Sequence, residues 1–212
     1  MESSAPSPPG LRESNKARTR QAISDVATHL FVTRGFDNVS VADVAHEAEV
    51  SRKTVFNYFP RKEDLVFDRE DELRALVRDA LADRGGSPPV HAFQTLMRTL
   101  LKTGHPLFRI TERPIQFWRT VAESPALTAR ARELQVTFAD DLAGMLADAV
   151  GRPHADPDAR LAATMLMATL VVAYGEALAV FRQGRAPEAA FTRVMDRGFA
   201  GVDAALAGTP YV

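Results

Sequence analysis

Apolar residues recur every three or four positions along most of the chain, which is the spacing of one face of an α-helix. The first such run covers residues 14–34 and ends at Gly35, a residue typical of the position just after a helix. Two short runs follow at 40–48 and 51–59, and a longer one covers 61–83. Further runs lie near 90–103, 112–122, 126–150, 158–183 and 188–207, separated by breaks rich in glycine and proline. No stretch alternates apolar and polar residues as a β-strand would, so the pattern predicts an all-α protein.

The short helix predicted at 51–59 differs from the others because its outward side is cationic. A serine can cap its start and a proline prevents it from continuing. At about 100° per residue, Arg52, Lys53 and Asn57 share one side. No acidic residue occurs from 51 to 62. Such a side suits a helix that enters the major groove of DNA, although an isolated group of cations is also typical of a solvated surface.

The helix predicted just upstream favours the DNA-binding interpretation of the cationic helix. Ser40 can cap it, and Asp43 is a weaker substitute for the glutamate of a capping box. Only Glu49 and Val50 separate this helix from the cationic one. Two short helices joined by so brief a turn form a helix-turn-helix, with the long first helix as its support.

The segment from Arg12 to Val66 resembles the N-terminal domain of the TetR family of bacterial transcriptional regulators. The residues that carry the resemblance are Phe31, Arg34-Gly35-Phe36, Ser40-Val41-Ala42-Asp43-Val44-Ala45 and the run from Val50 to Leu65. The rest of the chain is similar only in its helical character and length. The resemblance implies a helix-turn-helix DNA-binding domain at 12–66, joined by a connecting helix to a larger helical ligand-binding and dimerisation domain at 67–212. Residues 1–11, rich in serine and proline, are predicted to be a disordered tail and not a signal peptide.

Two positions depart from the family pattern. Glu49 stands where the family commonly has glycine, and a non-glycine residue at positive φ would cost about 1 kcal/mol. The turn is therefore either strained or different in geometry. Phe56 stands where the family often has a tyrosine whose hydroxyl reaches a phosphate. Phe56 could contact a thymine methyl group or pack on the domain, and we expect packing.

Helical geometry and the resemblance together predict the DNA contacts. Side chains on the exposed side of the cationic helix are expected to reach base edges; these are Arg52, Lys53 and Asn57. The residues that match family positions in contact with the DNA backbone are Ser40, Thr54, Tyr58 and Lys62.

Three more cations, Lys16, Arg18 and Arg20, lie at the front of the first predicted helix. Positive charge opposes the helix dipole there, so these residues are poor choices for stability alone. A nearby phosphate would account for them, and so would simple solvation of an exposed helix end.

Composition limits the classes of function. The 212-residue chain has 26 basic and 27 acidic residues, so the DNA hypothesis rests on local placement and not on net charge. The absence of cysteine excludes disulfides and thiol chemistry and fits a cytoplasmic protein. The five histidines lack metal-ligand spacing, and neither a nucleophile motif nor a phosphate-binding glycine loop occurs. We therefore predict a protein that is not an enzyme, with no catalytic site, no metal and no cofactor.

The uncharged stretch from Leu161 to Gly175 raises the question of a membrane span. It is shorter than the roughly 20 apolar residues that a span requires. A helix apolar on every side is better explained by burial against its own core and a partner subunit. In the family that the chain resembles, the last two long helices of each subunit form a four-helix dimer interface. The small residues that would permit close approach are Ala173, Gly175, Ala177, Gly198 and Gly201.

Aromatic residues of the second half suggest a pocket for a small apolar or amphipathic effector, although core packing explains most of them equally well. Trp118 and Tyr174 each combine a large apolar area with one polar group. Arg119 could bind a polar end of the effector, and Phe138 would add apolar surface. These four residues form the predicted effector site.

Taken together, the sequence predicts a homodimeric repressor that binds a near-palindromic double-stranded DNA operator and is released by its effector. One alternative is an activator, or a regulator without a ligand. The other is a helical enzyme or scaffold with a vestigial DNA-binding head. An enzyme or scaffold would not protect DNA in a footprint.

Overall fold

The computed structural model describes residues 9–107 and 112–212, and all regular structure in that part of the chain is helical. The helices are α1 (Pro9–Arg34), α2 (Val41–Glu47), α3 (Arg52–Tyr58), a 3₁₀ turn (Lys62–Leu65), α4 (Glu70–Ala82), α5 (Pro89–Lys102), α6 (Glu112–Glu123), α7 (Pro125–Ala149), α8 (Pro157–Arg182) and α9 (Glu188–Ala205). The predicted all-α class is confirmed. Contacts divide the chain into two units, the first comprising the chain up to Asp68 with 116–128, and the second 69–115 with 129–212.

The first unit is organised around α1. Apolar residues from one side of α1 are almost fully buried together with residues of α2, α3 and the 3₁₀ turn. They are Ile23, Ala27, Leu30, Phe31, Val44, Val55 and Leu65. Phe36, in the turn after α1, places its ring centroid 5.0 Å from that of Phe31. The long first helix therefore supports the two short ones.

Helix α1 begins earlier than the sequence pattern predicts. Residues 1–8 of the predicted tail lie outside the described residues, and the helix is already present at Pro9, ahead of the predicted start at residue 14. Proline suits the first turn of a helix because its φ is fixed near the helical value and a backbone N–H there has no helical partner.

The turn between α2 and α3 has the geometry of a Schellman motif. The backbone N–H of Val50 donates to the carbonyl of Ala45 at 2.9 Å, and the N–H of Glu49 donates to that of His46 at 3.1 Å. Glu49 has a φ of 53°, in the left-handed region where glycine is favoured. The question that the sequence left open is settled, because a glutamate occupies a strained backbone position.

We expect Glu49→Gly to stabilise the protein by about 1 kcal/mol, because glycine adopts this φ without the steric cost of a Cβ. Urea unfolding followed by circular dichroism would measure the change. Gly35, which follows α1 at a φ of 82°, provides the matched control. Gly35→Ala should shift the free energy of unfolding in the opposite direction. An unchanged or lower stability of Glu49→Gly would show that the turn carries no strain.

The single helix predicted at 61–83 is wrong, because the structure divides it into the 3₁₀ turn and α4. Between the 3₁₀ turn and α4, and at the start of the turn, polar side chains form hydrogen bonds that replace those of a continuous helix. The N–H of Arg61 donates to the carboxylate of Asp64 at 3.0 Å. The hydroxyl of the buried Ser24 donates to the carboxylate of Asp68 at 2.5 Å, which holds this segment against α1.

The second unit packs α8 closely against α9. Gly198 permits this approach, since a Cβ there would lie 2.2 Å from a side-chain atom of Thr169. Gly175 and Gly201, by contrast, have no atom within 4 Å of a Cβ position. The chain end packs at the start of α5, where the N–H of Val90 donates to the carbonyl of Tyr211 at 3.1 Å. Gly175 and Gly201 are thus available for a second molecule.

Candidate nucleic-acid interface

Both ends of α3 are fixed by identifiable contacts. Ser51 caps its start by accepting a hydrogen bond from the N–H of Thr54 at 3.0 Å. Val55 is fully buried, and Phe59, which follows the helix, is 1% exposed. The N–H of Phe59 donates to the carbonyl of Val55 at 2.8 Å and closes the last turn. One side of α3 is therefore held in the core, and the other side is presented outward.

The outward side of α3 carries Arg52, Lys53, Phe56 and Asn57, which we term the recognition face. No side-chain hydrogen bond or ion pair joins Arg52, Lys53 or Asn57 to any other residue within 9–107 and 112–212. Phe56 is 44% exposed, so the expected packing of this ring on the domain is wrong. Val55 takes the buried side of α3, and Phe56 lies about 100° from it around the helix, on the exposed arc. The recognition face thus combines free donors with one exposed aromatic ring.

The side chains predicted to contact the DNA backbone lie on α3 and on the segments just before and after it. Ser40 is exposed, accepts from the N–H of Asp43 at 3.2 Å and donates its hydroxyl to the Asp43 carboxylate at 2.6 Å. The backbone N–H of Ser40 donates to the same carboxylate at 2.7 Å and completes the predicted capping box. The bonds from the Ser40 hydroxyl and backbone N–H lower the pKa of Asp43. Thr54 is half-buried and shares a 2.8 Å hydroxyl contact with Ser51, and Tyr58 is half-buried at the last position of α3.

Lys62 lies beyond α3, at the start of the 3₁₀ turn. Its ammonium donates to the backbone carbonyl oxygen of Phe36 at 2.6 Å. The ammonium nitrogen also lies 4.0 Å from the centroid of the Phe36 ring. Partial burial lowers the pKa of Lys62. An ammonium has three N–H donors, so two remain for a phosphate when one is bound to Phe36.

The three cations at the front of α1 have different surroundings. Lys16 is exposed, and Arg18 donates to the side chain of Asn15 at 3.1 Å within the same helix. Arg20 instead donates to the carbonyl oxygen of Tyr58 at 2.8 Å. Arg20 and Ile23 lie three residues apart on one helix side, a spacing that could have indicated an inward position for Arg20. The same explanation was predicted for all three cations, and the contact between Arg20 and Tyr58 was not predicted.

The predicted effector residues are divided between the two units. Trp118 and Arg119 belong to the segment 116–128 of the first unit, and Arg119 pairs with Glu123 at 3.8 Å. In the second unit, Phe138 is 5% exposed and Tyr174 packs edge-on against Phe191 at 6.2 Å between ring centroids. The structure therefore does not bring the four predicted residues together within either unit.

Two clefts can be described, one in each unit. The first unit has an apolar cleft of about 10 Å³, lined by Thr28, Phe31, Val32, Val66 and Thr120. The second has a polar cleft of about 300 Å³, lined by Arg74, Arg78, Asp140, Asp141, Gly144, Met145, Asp148 and His154. Neither lining includes a predicted effector residue. At the small cleft Thr120 lies beside residues of α1, in agreement with the grouping of 116–128 with the first unit.

Comparison with known proteins matches residues 23–68 to the family model described as "Bacterial regulatory proteins, tetR family". The chain is 30% identical over 99 residues to the HTH-type transcriptional regulator TcmR of Streptomyces glaucescens, which covers 46% of this chain and 44% of TcmR. It is 31% identical over 142 residues to an HTH-type transcriptional regulator of Haemophilus influenzae, which covers 63% of this chain and 66% of that protein. Both alignments span less than two thirds of the relative's own length.

Among solved structures, the chain is similar to FadR of Thermus thermophilus, described as a TetR-family transcriptional repressor in complex with lauroyl-CoA. The similarity covers 86% of this chain and 94% of FadR, with 24% identity and a TM-score of 0.51. At this level of identity the similarity supports the helical fold of both units.

Proposed function

This chain belongs to the TetR family of bacterial regulatory proteins, and we propose that it is a DNA-binding transcriptional repressor released by a small-molecule effector. The observation that carries the proposal is the recognition face. Its guanidinium, ammonium and amide groups have no partner within the described residues, and no acid lies between 51 and 62 to oppose a phosphate. A regulator of this kind acts in the cytoplasm, where bacterial DNA is found.

Base edges would be read by Arg52, Lys53 and Asn57, and the DNA backbone would be bound by Ser40, Thr54, Tyr58 and Lys62. We add Phe56 to the base contacts, because an exposed aromatic ring beside cations suits the methyl group of thymine in the major groove. Leaving a large apolar ring in water is unfavourable, and contact with a methyl group would remove that cost.

We propose that the repressor is a homodimer formed through α8 and α9. The side of α8 that faces away from the core is apolar, with Leu161, Val171 and Val172 exposed by 45%, 49% and 59%. Helix α8 also has the length and composition of a membrane span. A second copy of the chain is the better partner, because α9 already packs along α8 and leaves Gly175 and Gly201 open for close approach. Dimerisation would place two recognition helices about 34–36 Å apart on successive major grooves.

Selection of bound sequences from a random DNA library, followed by footprinting on the selected site, tests the proposed function. A repressor of this architecture should enrich a near-palindromic sequence and protect two half-sites one helical turn apart. An activator would enrich the same kind of site but raise transcription from a promoter beside it. Failure to enrich any sequence would contradict DNA-binding regulation and favour the enzyme or scaffold alternative.

The proposed effector is small and apolar or amphipathic, by analogy with the lauroyl-CoA of FadR. Acyl-CoA thioesters, fatty acids and hydrophobic phenols are suitable probes. We expect an effective probe to weaken operator binding and to raise the melting temperature, since it binds the native state. Trp118→Ala should blunt both responses and leave operator affinity unchanged, whereas Trp118→Phe should retain them. A normal response in Trp118→Ala would move the effector site away from this residue.

A further inference from the structure

Among the cations of α1 whose side chains are described, Arg20 makes the contact that reaches farthest along the chain. Its guanidinium crosses from α1 to the end of α3, 38 residues away, and donates to the carbonyl oxygen of Tyr58 at 2.8 Å. The guanidinium carbon also lies 4.4 Å from the centroid of the Phe59 ring. Arg18, two residues earlier, is exposed and bonds only within its own helix. The two arginines therefore differ in surroundings although they share a helix end.

The Tyr58 carbonyl is one of the groups that a helix leaves without an internal partner at its C-terminus. It also lies at the negative end of the α3 dipole, where a cation is favourable. The ring of Phe59, which is 1% exposed, lies under the guanidinium and favours the cation at this position. A charged donor, a free carbonyl and an aromatic face thus form one contact at the exit of α3.

This contact complements the cap at the other end of the helix. Ser51 holds the first turn of α3 by its hydroxyl, and Arg20 holds the last residue of the helix. With only seven residues, α3 has two turns and no long stretch of internal hydrogen bonds. Asn57 lies one residue before the bonded carbonyl, so fraying of the last turn would change the direction of its side chain.

We propose that Arg20 is a positioning residue for base recognition: it fixes the C-terminal turn of α3 and does not itself bind a phosphate. The proposal rests on the DNA-binding function proposed above. It assigns different roles to adjacent cations, since Arg18 and Lys16 remain free to approach the DNA backbone. A positioning residue should matter for discrimination between sequences, because binding energy at base edges depends on geometry that is set before binding.

Arg20→Met is the informative variant, because methionine retains an apolar stem over Phe59 and removes the donor. We expect about a tenfold loss of affinity for the selected operator and a much smaller loss for unrelated DNA, so that the specificity ratio falls. The dependence of log affinity on log salt should stay as in the wild type. A lost phosphate contact would instead lower its slope by about 0.9 in each subunit. Arg20→Lys, which can still donate to the carbonyl, should recover most of the discrimination.

Arg18→Met is the matched control, with the same substitution on the same helix end. It should leave the specificity ratio unchanged. Amide hydrogen exchange provides a readout that needs no DNA: protection of the Phe59 N–H should fall by about tenfold in Arg20→Met and stay unchanged in Arg18→Met. The two proposals fail in different ways. A wild-type protein that binds no operator contradicts the proposed function, whereas the hydrogen-exchange result tests the Arg20 contact without DNA. Unchanged Phe59 protection, an unchanged specificity ratio or a lower salt slope in Arg20→Met would each overturn the proposal.

Discussion

Val172→Arg should convert the proposed homodimer into monomers that no longer bind the selected operator. Val172 is 59% exposed on the outward side of α8, beside Val171 and the open Gly175. In a dimer, an arginine at this position would be a buried, unpaired charge in an apolar interface. Because the interface is two-fold symmetric, each subunit would contribute one such charge. A penalty of about 3–5 kcal/mol corresponds to a weakening of the dimer by roughly 10²–10⁴-fold. Analytical ultracentrifugation across a concentration series would measure it.

Val136→Arg provides the control for this prediction. Val136 is 63% exposed on α7, so the substitution introduces the same charge at a valine of similar exposure outside the proposed interface. It should leave both the dimer and operator binding unchanged. Gly201→Arg, on α9, should act like Val172→Arg because no protein atom lies within 4 Å of its Cβ position. Stable, operator-binding dimers from both Val172→Arg and Gly201→Arg would place the interface elsewhere on the molecule.

Local signals predicted most of the fold. The helical period located the helices, and the capping box of Ser40 and Asp43 and the glycine after α1 marked element ends correctly. The errors occur where distant residues decide the local structure. The helix predicted from residue 61 is interrupted at a segment held by Ser24, whose bond to Asp68 joins residues 44 positions apart. A sequence pattern within one element contains no information about such a bond.

The same distinction applies to the candidate interface. The exposed arc of α3 followed from the helical period alone, so Arg52, Lys53 and Asn57 were found outward as expected. The role of Arg20 depends on a carbonyl 38 residues away and could not be derived from charge, since Lys16 and Arg18 nearby carry the same charge. The chemistry of a phenylalanine at position 56 allowed either packing on the domain or a contact with a thymine methyl group, and only its exposure on α3 favours the second.

Asn57→Ala and Lys62→Ala should separate base recognition from backbone binding. The Asn57 amide is exposed on the recognition face and has no hydrogen-bond partner among the described residues. Its loss should cost about 1–3 kcal/mol in each half-site and relax the preference at one operator position. Lys62 lies outside α3, so its loss should weaken all DNA sequences alike. It should also lower the slope of log affinity against log salt by about one for each phosphate contact removed.

Titration of both variants against a library of single-base operator changes, at two salt concentrations, would measure these effects. In a dimer each substitution occurs in both half-sites, so the expected losses are doubled and easy to resolve. The bond from Lys62 to the Phe36 carbonyl makes the salt slope the decisive quantity, because a lysine used only inside the protein would leave that slope unchanged. The assignment of the two residues would be reversed by two results together. Lys62→Ala would alter the preferred base, and Asn57→Ala would weaken binding to all sequences equally. Lys62 would then belong to base recognition, and the outward side of α3 would bind only the DNA backbone.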